Sequence, residues 1–109
     1  MDSILNSIKK MLGIEAEYRH FDEDIIMHIN TTFMTISQLG IGNTTPFINS
    51  DVETWQSVFQ DISQIPAIKT YVYLKVRMLF DPPTSAFVME AMTNQAKELE
   101  WRLNAQVDN

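Results

Sequence analysis

Cysteine is absent from this chain of 109 residues, and no apolar stretch approaches the length of a membrane span. Without thiols, the protein cannot use a disulfide scaffold, a thiolate metal site or a cysteine nucleophile. The amino terminus also lacks the order of a secretory signal, because Lys9 and Lys10 follow the first apolar residues instead of preceding them. We therefore expect a soluble, intracellular protein with no membrane partner.

Basic side chains are scarce: eight stand against 14 acidic ones, which gives a formal net charge of -6. A protein that reads DNA sequence usually concentrates its basic residues in one patch. Here they are spread along the chain: Lys9, Lys10, Arg19, Lys69, Lys75, Arg77, Lys97 and Arg102. Tight binding to duplex DNA is therefore disfavoured. An acidic protein that surrounds DNA and lets it slide remains compatible, because repulsion from phosphate prevents sticking.

The chain has only two histidines, His20 and His28, which lie near three acidic residues, Asp22, Glu23 and Asp24. A metal-dependent enzyme using His20, His28 and Asp24 is one alternative, but the spacing matches no ligand motif such as His-Glu-x-x-His. The acidic run is better explained as a helix start, where negative charge favours the positive end of the helix dipole. No base is placed to activate a serine. The pattern predicts neither an enzyme nor a cofactor.

Apolar residues make up 45% of the chain, enough for a hydrophobic core, and they recur with helical spacing in every segment. We predict an all-α fold in which about four to five helices form a small bundle, as a single domain over residues 1–109. Gly13 and Gly40 are expected to end the first two helices, since glycine adopts the left-handed backbone conformation readily. The predicted helices span residues 3–12, 22–39, a short stretch after residue 50, 66–80 and 85–104.

The middle of the chain carries two helix-start patterns. Ser50 and Glu53 match a capping box, in which each side chain satisfies a free backbone amide at the start of a helix. The short helix after it is expected to turn four residues inward: Trp55, Val58, Phe59 and Ile62. Pro66 suits the first turn of the next helix, because its missing amide needs no partner there. That helix is predicted to be central, with apolar residues over more than half of its circumference: Ile68, Tyr71, Val72, Leu74, Val76, Met78 and Leu79.

Three residues leave the core stripe of their helix when positions are placed at 100° steps. The core stripe of the last helix is predicted to comprise Val88, Met92, Ala96, Leu99 and Leu103. Trp101 lies opposite that stripe, so it either contacts another chain, where Trp is enriched, or packs under a loop of its own chain. Met27 and Met34 lie off the stripe of the second helix and suit adaptable protein contacts. For these two methionines, burial of the helix on two sides is the favoured interpretation.

Lys75 falls in the middle of the apolar arc of the central helix, where a charge is costly unless it reaches solvent or is paired. The ordinary explanation is that its side chain extends to the surface. The alternative is an ion pair with Glu90 or Glu98, within the chain or across an interface.

Two stretches of the C-terminal half stand out: Tyr71-Val-Tyr-Leu-Lys-Val-Arg-Met-Leu-Phe-Asp-Pro-Pro-Thr-Ser85 and Glu98-Leu-Glu-Trp-Arg-Leu-Asn104. They resemble the C-terminal half of head–tail connector (DNA-packaging adaptor) proteins from phages and prophages of Gram-positive bacteria. The upstream order is also similar, with an N-terminal helix, a long helix ending in Gln38-Leu-Gly-Ile-Gly42 and a short helix that contains Trp55. The resemblance extends over nearly the whole chain.

The resemblance implies a virion structural protein that is made in the host cytoplasm. Its copies form a ring, commonly twelve-fold, below the portal protein. Such a ring extends the DNA channel and meets the next connector or a tail-completion protein, while DNA passes through without tight binding. Trp101 and Arg102 are the first candidates for subunit contacts, and Lys75, Met27 and Met34 are further ones. The loop over residues 41–50 supplies candidates for a surface facing the lumen or an adjacent ring: Ile41, Asn43, Thr44, Thr45 and Phe47.

A small helical DNA-binding or regulatory protein of a mobile element is the alternative from a different class. Its recognition helix should carry several Lys or Arg residues with Asn or Gln on one exposed face. The predicted helix over residues 66–80 has the most basic residues, but most of its side chains are apolar. This pattern argues against the alternative.

Overall fold

The computed structural model describes residues 3–41 and 46–107, and α-helices account for most of them. The helices are α1 (Ile4–Met11), α2 (Asp22–Gln38), α3 (Trp55–Val58), α4 (Ile65–Phe80) and α5 (Ala86–Val107), with a 3-10 turn at Ile62–Gln64. No strand occurs within these described ranges, where Ser3 and Thr54 form an isolated antiparallel bridge. The predicted all-α bundle is confirmed.

The ends of α1 and α2 follow their local sequence. The Ser3 hydroxyl accepts a hydrogen bond from the Asn6 amide at 3.2 Å, which satisfies one of the free N–H groups at the start of α1. Gly13 and Gly40 follow the two helices with positive φ angles of 82° and 91°, as predicted. Asp22 lies at the start of α2 and opens its acidic first turn.

The start of α3 differs from the prediction. The Ser50 hydroxyl does donate to the Glu53 carboxylate at 3.2 Å. However, the backbone carbonyl of Glu53 accepts from the Ile4 amide at 2.9 Å, and residue 53 lies in extended chain. The helix begins further along, where Thr54 and Ser57 form the reciprocal capping box. The predicted Ser50–Glu53 box is therefore wrong, because the pairing of residue 53 with the start of α1 holds this segment extended.

Only part of the predicted inner face of α3 is buried. Trp55 and Phe59 are buried and pack around Phe33 of α2, with ring centroids 6.4 and 5.4 Å from it. The Trp55 indole N–H donates to the Ser7 hydroxyl of α1 at 2.8 Å. Val58 is half-buried. Ile62 is exposed, because α3 ends at Val58 and the chain turns before Ile62 can follow the helical phase.

Helix α4 is central, as predicted: α1, α2 and α5 all pack on it. Pro66 lies in its first turn, and its buried residues are Ile65, Ile68, Tyr71, Val72, Leu74 and Val76. Leu79, which belongs to the apolar arc of this helix, is exposed at the cleft between α4 and α5. The Ser85 hydroxyl caps α5 by accepting from the Val88 amide at 3.3 Å.

Helix α5 is longer than predicted and ends at Val107 instead of near residue 104. Its inner face is largely the predicted one, with Ala96 and Leu103 buried and Met92 and Leu99 half-buried. Val88 is exposed, because the first turn of α5 extends past the body of the bundle. At the other end, the Asn104 amide donates to the Leu39 carbonyl at 3.1 Å and ties α5 to the end of α2.

The Lys9 side chain is fully buried, which the sequence did not predict. Its ammonium donates to the carbonyls of Ala16 and Tyr18 at 3.0 and 2.7 Å. It also forms an ion pair with the Asp22 carboxylate at 2.8 Å. Three oxygen atoms thus replace the water that a lysine ammonium loses on burial. Lys9 holds the connection between α1 and α2 against both helices.

A second cation extends this cluster to the segment before α3. Arg19 donates to Asp22 at 3.2 Å and to Asp51 at 2.7 Å. The hydrogen bond and positive charge of Arg19 lower the pKa of Asp51 below its ordinary value. The chain of ion pairs therefore runs from Lys9 through Asp22 and Arg19 to Asp51, and it joins four parts of the fold.

Replacing Lys9 with methionine should lower the free energy of unfolding by about 3 kcal/mol, because a buried ion pair is broken and two carbonyls lose their donor. Lys10→Met is the matched control, since Lys10 is the exposed neighbour and its loss changes the net charge equally. Urea denaturation followed by circular dichroism measures both. Equal stability of the two variants would contradict the assigned role of Lys9.

The Arg19–Asp51 pair should make stability depend on acidity. Because the pKa of Asp51 is lower in the folded state, this carboxylate stabilises the fold above its unfolded pKa of about 3.9. That contribution is lost as the pH falls through the folded pKa. The stability difference between the wild type and Asp51→Asn should therefore shrink as the pH falls below about 4. Urea midpoints from neutral pH down to about pH 3 measure it, with Glu15→Gln as the control, and a difference that does not change with pH would refute the effect.

Candidate assembly surfaces

Two helix faces leave large apolar side chains uncovered, and both belong to helices whose opposite face packs in the core. The exposed large hydrophobic residues of the described chain are Met11, Tyr18, Met27, Met34, Phe47, Val52, Ile62, Leu79, Phe87, Val88 and Trp101. Two of them lie along the outer face of α5, and three others lie on or beside the outer face of α2.

The outer face of α5 presents what we call the α5 ridge, formed by Phe87, Glu90, Asn94, Lys97 and Trp101. At 100° per residue these five positions lie on one side of the helix, opposite its buried residues. Trp101 is 71% exposed and Phe87 is 81% exposed. The helix phase predicted from the sequence is therefore confirmed, and Trp101 does not pack under a loop of its own subunit.

The outer face of α2 carries a second surface, which we call the α2 groove. Its main residues are Glu23, Met27, Met34 and Phe47. Their neighbours in the groove are Ile26, Asn30, Thr31, Ile48 and Asn49. Its volume is about 560 Å³. Met27 is 56% exposed and Met34 is 55% exposed. The favoured interpretation, burial of α2 on two sides, is therefore wrong. The described helices that pack on α2 cover its other face and leave the methionines open to solvent.

Asn30 fixes the second wall of the α2 groove. Its side-chain amide donates to the Ile48 carbonyl at 2.8 Å, and its side-chain oxygen accepts from the Ile48 amide at 2.8 Å. This double hydrogen bond holds Phe47 beside the methionines, although the two segments are far apart in the sequence. The helical periodicity of α2 does not single out Asn30. An asparagine within a helix, where it is disfavoured, was the available indication of a specific backbone contact.

The structure separates the candidates of the loop over residues 41–50. Phe47 is exposed and forms part of the α2 groove. Ile41 is buried in the core, so its assignment as a docking or lumen contact is wrong. It packs there because the chain turns back towards the bundle directly after Gly40. Asn43, Thr44 and Thr45 lie outside the described residues.

Arg102 and Lys75 have different surroundings. Arg102 is exposed on α5 and donates to Glu98 at 2.8 Å. Lys75 is half-buried in a cleft of about 300 Å³ between α4 and α5, where Lys97 and Glu100 also lie. Within the described residues, Lys75 forms no ion pair with Glu90 or Glu98. The pair predicted inside the subunit is therefore wrong, since Glu98 is engaged by Arg102.

The cleft beside Lys75 contains one strong polar contact between helices. The Tyr71 hydroxyl of α4 donates to Glu100 of α5 at 2.7 Å. Burial and the adjacent carboxylate raise the pKa of Tyr71. Tyr71 therefore stays protonated as a donor and holds α5 in place on α4.

The histidines do not converge with the acidic residues. His20 packs edge-on against Phe21 with ring centroids 4.8 Å apart, and His28 lies 6.5 Å from the ring of Phe80. Over residues 3–41 and 46–107, no group of three or more His, Cys, Asp or Glu side chains is arranged to hold a metal ion. In the same part of the chain, no helix combines the length and hydropathy that crossing a membrane requires.

The part of the chain that matches a known protein family includes both surfaces. Residues 4–109 match the family described as phage connector protein. This chain belongs to the phage connector protein family. The resemblance to head–tail connectors is thereby confirmed, and the α5 ridge and the α2 groove both lie in the matched region of this connector. No curated protein and no solved structure matches the chain.

Family membership changes what the exposed faces mean. In a phage connector protein, an uncovered apolar face is a candidate for contact with another protein. Isolated exposed hydrophobic residues are common on protein surfaces, whereas clustered ones mark interaction sites. In this connector Met27, Met34 and Phe47 form such a cluster on or beside α2, whereas Phe87 and Trp101 lie about 21 Å apart on the outer face of α5.

Truncating the two tryptophans should affect the stability of the folded chain to very different extents. Trp101→Ala should change the free energy of unfolding by less than about 0.5 kcal/mol, because the side chain is mostly in water. Trp55→Ala should cost roughly 3–5 kcal/mol, because it empties the core beside Phe33. Urea denaturation of the two variants measures both effects. Unfolding of the Trp101 variant would show that this residue is part of the core.

Proposed function

We propose that this connector is a structural, non-enzymatic subunit whose copies form a ring below the portal protein, extend the DNA channel and meet the next connector or a tail-completion protein. The single observation that carries the proposal is the exposure of Trp101 on the outer face of a well-packed helix in a chain of this family. A tryptophan in that position costs solubility in a lone subunit, and it contributes strongly when a second protein covers it.

The electrostatics support passage of DNA without adhesion. The net charge is -6, and several of the eight basic side chains already pair with acidic groups. Lys9 and Arg19 belong to the Asp22 cluster, Arg77 lies 3.9 Å from Asp81, and Arg102 pairs with Glu98. Few cations are left to displace counterions from phosphates. A lumen built from such subunits repels DNA weakly and lets it slide.

The proposed life cycle is assembly in the host cytoplasm followed by residence in the virion at the head–tail interface. The subunit needs no cofactor or membrane for this role. The specificity of the subunit for its partner proteins comes from its shape and from its uncovered apolar side chains. A small domain buries a limited fraction of its surface, so ring contacts also stabilise the subunit.

Native mass spectrometry and negative-stain microscopy at increasing protein concentration, with and without portal protein, test ring formation. We expect closed rings for the wild type. Trp101→Ala should prevent them while the helix content in circular dichroism stays unchanged. Gln95→Ala is the matched control, because Gln95 is exposed on α5 but lies away from the ridge. A wild type that stays monomeric under all conditions, including excess portal protein, would contradict the ring.

Gel-shift titration of the assembled protein tests the role of DNA. We expect no shift of duplex DNA at nanomolar protein concentration and low salt. A tight shift that weakens steeply as salt is added would instead indicate a DNA-binding protein of a mobile element, because counterion release accompanies phosphate contacts.

A further inference from the structure

We propose that the α5 ridge of one copy seats in the α2 groove of the next copy, with Trp101 entering between Met27, Met34 and Phe47. The inference rests on the proposed function, since it names the two surfaces through which the connector subunits of the ring would meet. The proposal commits to a second copy of this chain as the occupant of the groove.

Shape and chemistry support the pairing. Trp101 projects from the outer face of α5, whereas the α2 groove is a shallow, open depression lined by two methionines and Phe47. Methionine adapts its shape to a partner and makes favourable sulfur–aromatic contacts. An aromatic ridge and a methionine-lined groove on the same molecule are therefore suited to cover each other.

Charge complementarity at matching spacing also supports the pairing. Lys97 lies one helical turn before Trp101 on the ridge, and Glu23 lies one turn before Met27 in the groove. Four residues of helix span about 6 Å in both cases. When α5 lies parallel to α2 with Trp101 at Met27, Lys97 comes beside Glu23. Within the described residues, neither Lys97 nor Glu23 forms an ion pair, so both charges are available to a neighbour.

The exposed area of Trp101 sets its share of the contact. An aromatic side chain covers about 150–250 Å² when buried, so Trp101 at its present exposure offers on the order of 150 Å². A standard interface buries about 800 Å² per partner. Trp101 thus supplies about a fifth of one side, and the polar residues of the ridge beside it add to this area. Phe87 lies about 21 Å before Trp101 along α5, so with Trp101 at Met27 it extends beyond the start of α2 and adds nothing to the groove contact.

The position of the two surfaces favours a head-to-tail contact. Helices α2 and α5 each bury one face against α4, and the ridge and the groove lie on the faces that turn away from it. Because the two surfaces are different, a pair of bound copies leaves one ridge and one groove free, on different copies. Further copies add through such an interface until the rotation between successive copies closes a ring.

A pair of variants tests this pairing directly. Trp101→Glu damages only the ridge, and the double variant Met27→Glu, Met34→Glu damages only the groove. All three positions are exposed, so both proteins should keep their helix content in circular dichroism. Each protein alone should be monomeric, whereas their mixture should form a 1:1 heterodimer through the intact ridge of one and the intact groove of the other. The heterodimer should not grow, because its remaining surfaces are damaged; native mass spectrometry measures the species.

A charge exchange tests the register. Lys97→Glu and Glu23→Lys should each weaken self-association by roughly five-fold, as expected for an exposed ion pair. The chain that carries both substitutions should regain the association of the wild type, because opposite charges then meet again at every interface, with the acidic one on the ridge and the basic one in the groove. Sedimentation analysis at low salt measures the association constants. A double variant weaker than both single variants would overturn the register.

The outcomes separate this inference from the ring itself. If the mixture of variants yields no heterodimer while the wild type forms rings, the ridge and groove do not pair and the ring uses other surfaces. If the heterodimer forms but the wild type never closes into rings, the pairing holds and the proposed function fails. If Trp101→Glu abolishes binding to portal protein but leaves the association between copies of this chain unchanged, the ridge faces the portal and the inference is overturned.

Discussion

The buried ammonium of Lys9 is the interaction on which the arrangement of the amino-terminal half depends. A buried charge is tolerated only when polar partners replace its water. Here those partners come from the connection between α1 and α2, through the carbonyls of Ala16 and Tyr18, and from Asp22 at the start of α2. This demand sets the path of the connection and the point where α2 begins. It thereby also sets which face of α2 meets α4 and which face carries Met27 and Met34 outward.

The same packing that builds the core leaves the connector with two prominent outer surfaces. Helix α4 is covered by three other helices, so the bundle needs no further side chains from the outer faces of α2 and α5. Apolar residues on those faces contribute nothing to the core of the subunit. The Asn30–Ile48 hydrogen bonds also hold Phe47 beside the exposed methionines. In the proposed assembly, this preformed surface keeps the entropy lost on contact small.

Local patterns predicted most of the fold, and the start of α3 shows where they failed. Helical spacing, the cap at Ser3, the glycine after α1 and Pro66 in α4 all act within a few residues, and all agree with the structure. The pattern at Ser50 and Glu53 does bring the two side chains into a hydrogen bond, but it does not start a helix. The helix did not follow because the Glu53 carbonyl pairs with Ile4, far away in the sequence. Long-range pairing outweighed a local preference there.

By itself, the sequence determined the helices, their inner stripes, the outward direction of Trp101 and membership of the phage connector family. Each of these depends on residue type and spacing along the chain, which dictate where a side chain points on its helix. The tertiary structure alone decided that Lys9 is buried, that Ile41 is buried and that Met27, Met34 and Phe47 form one exposed groove. Periodicity gives the direction of a side chain but not whether another element covers it. Cover depends on contacts between distant segments, and those form only when the whole chain packs.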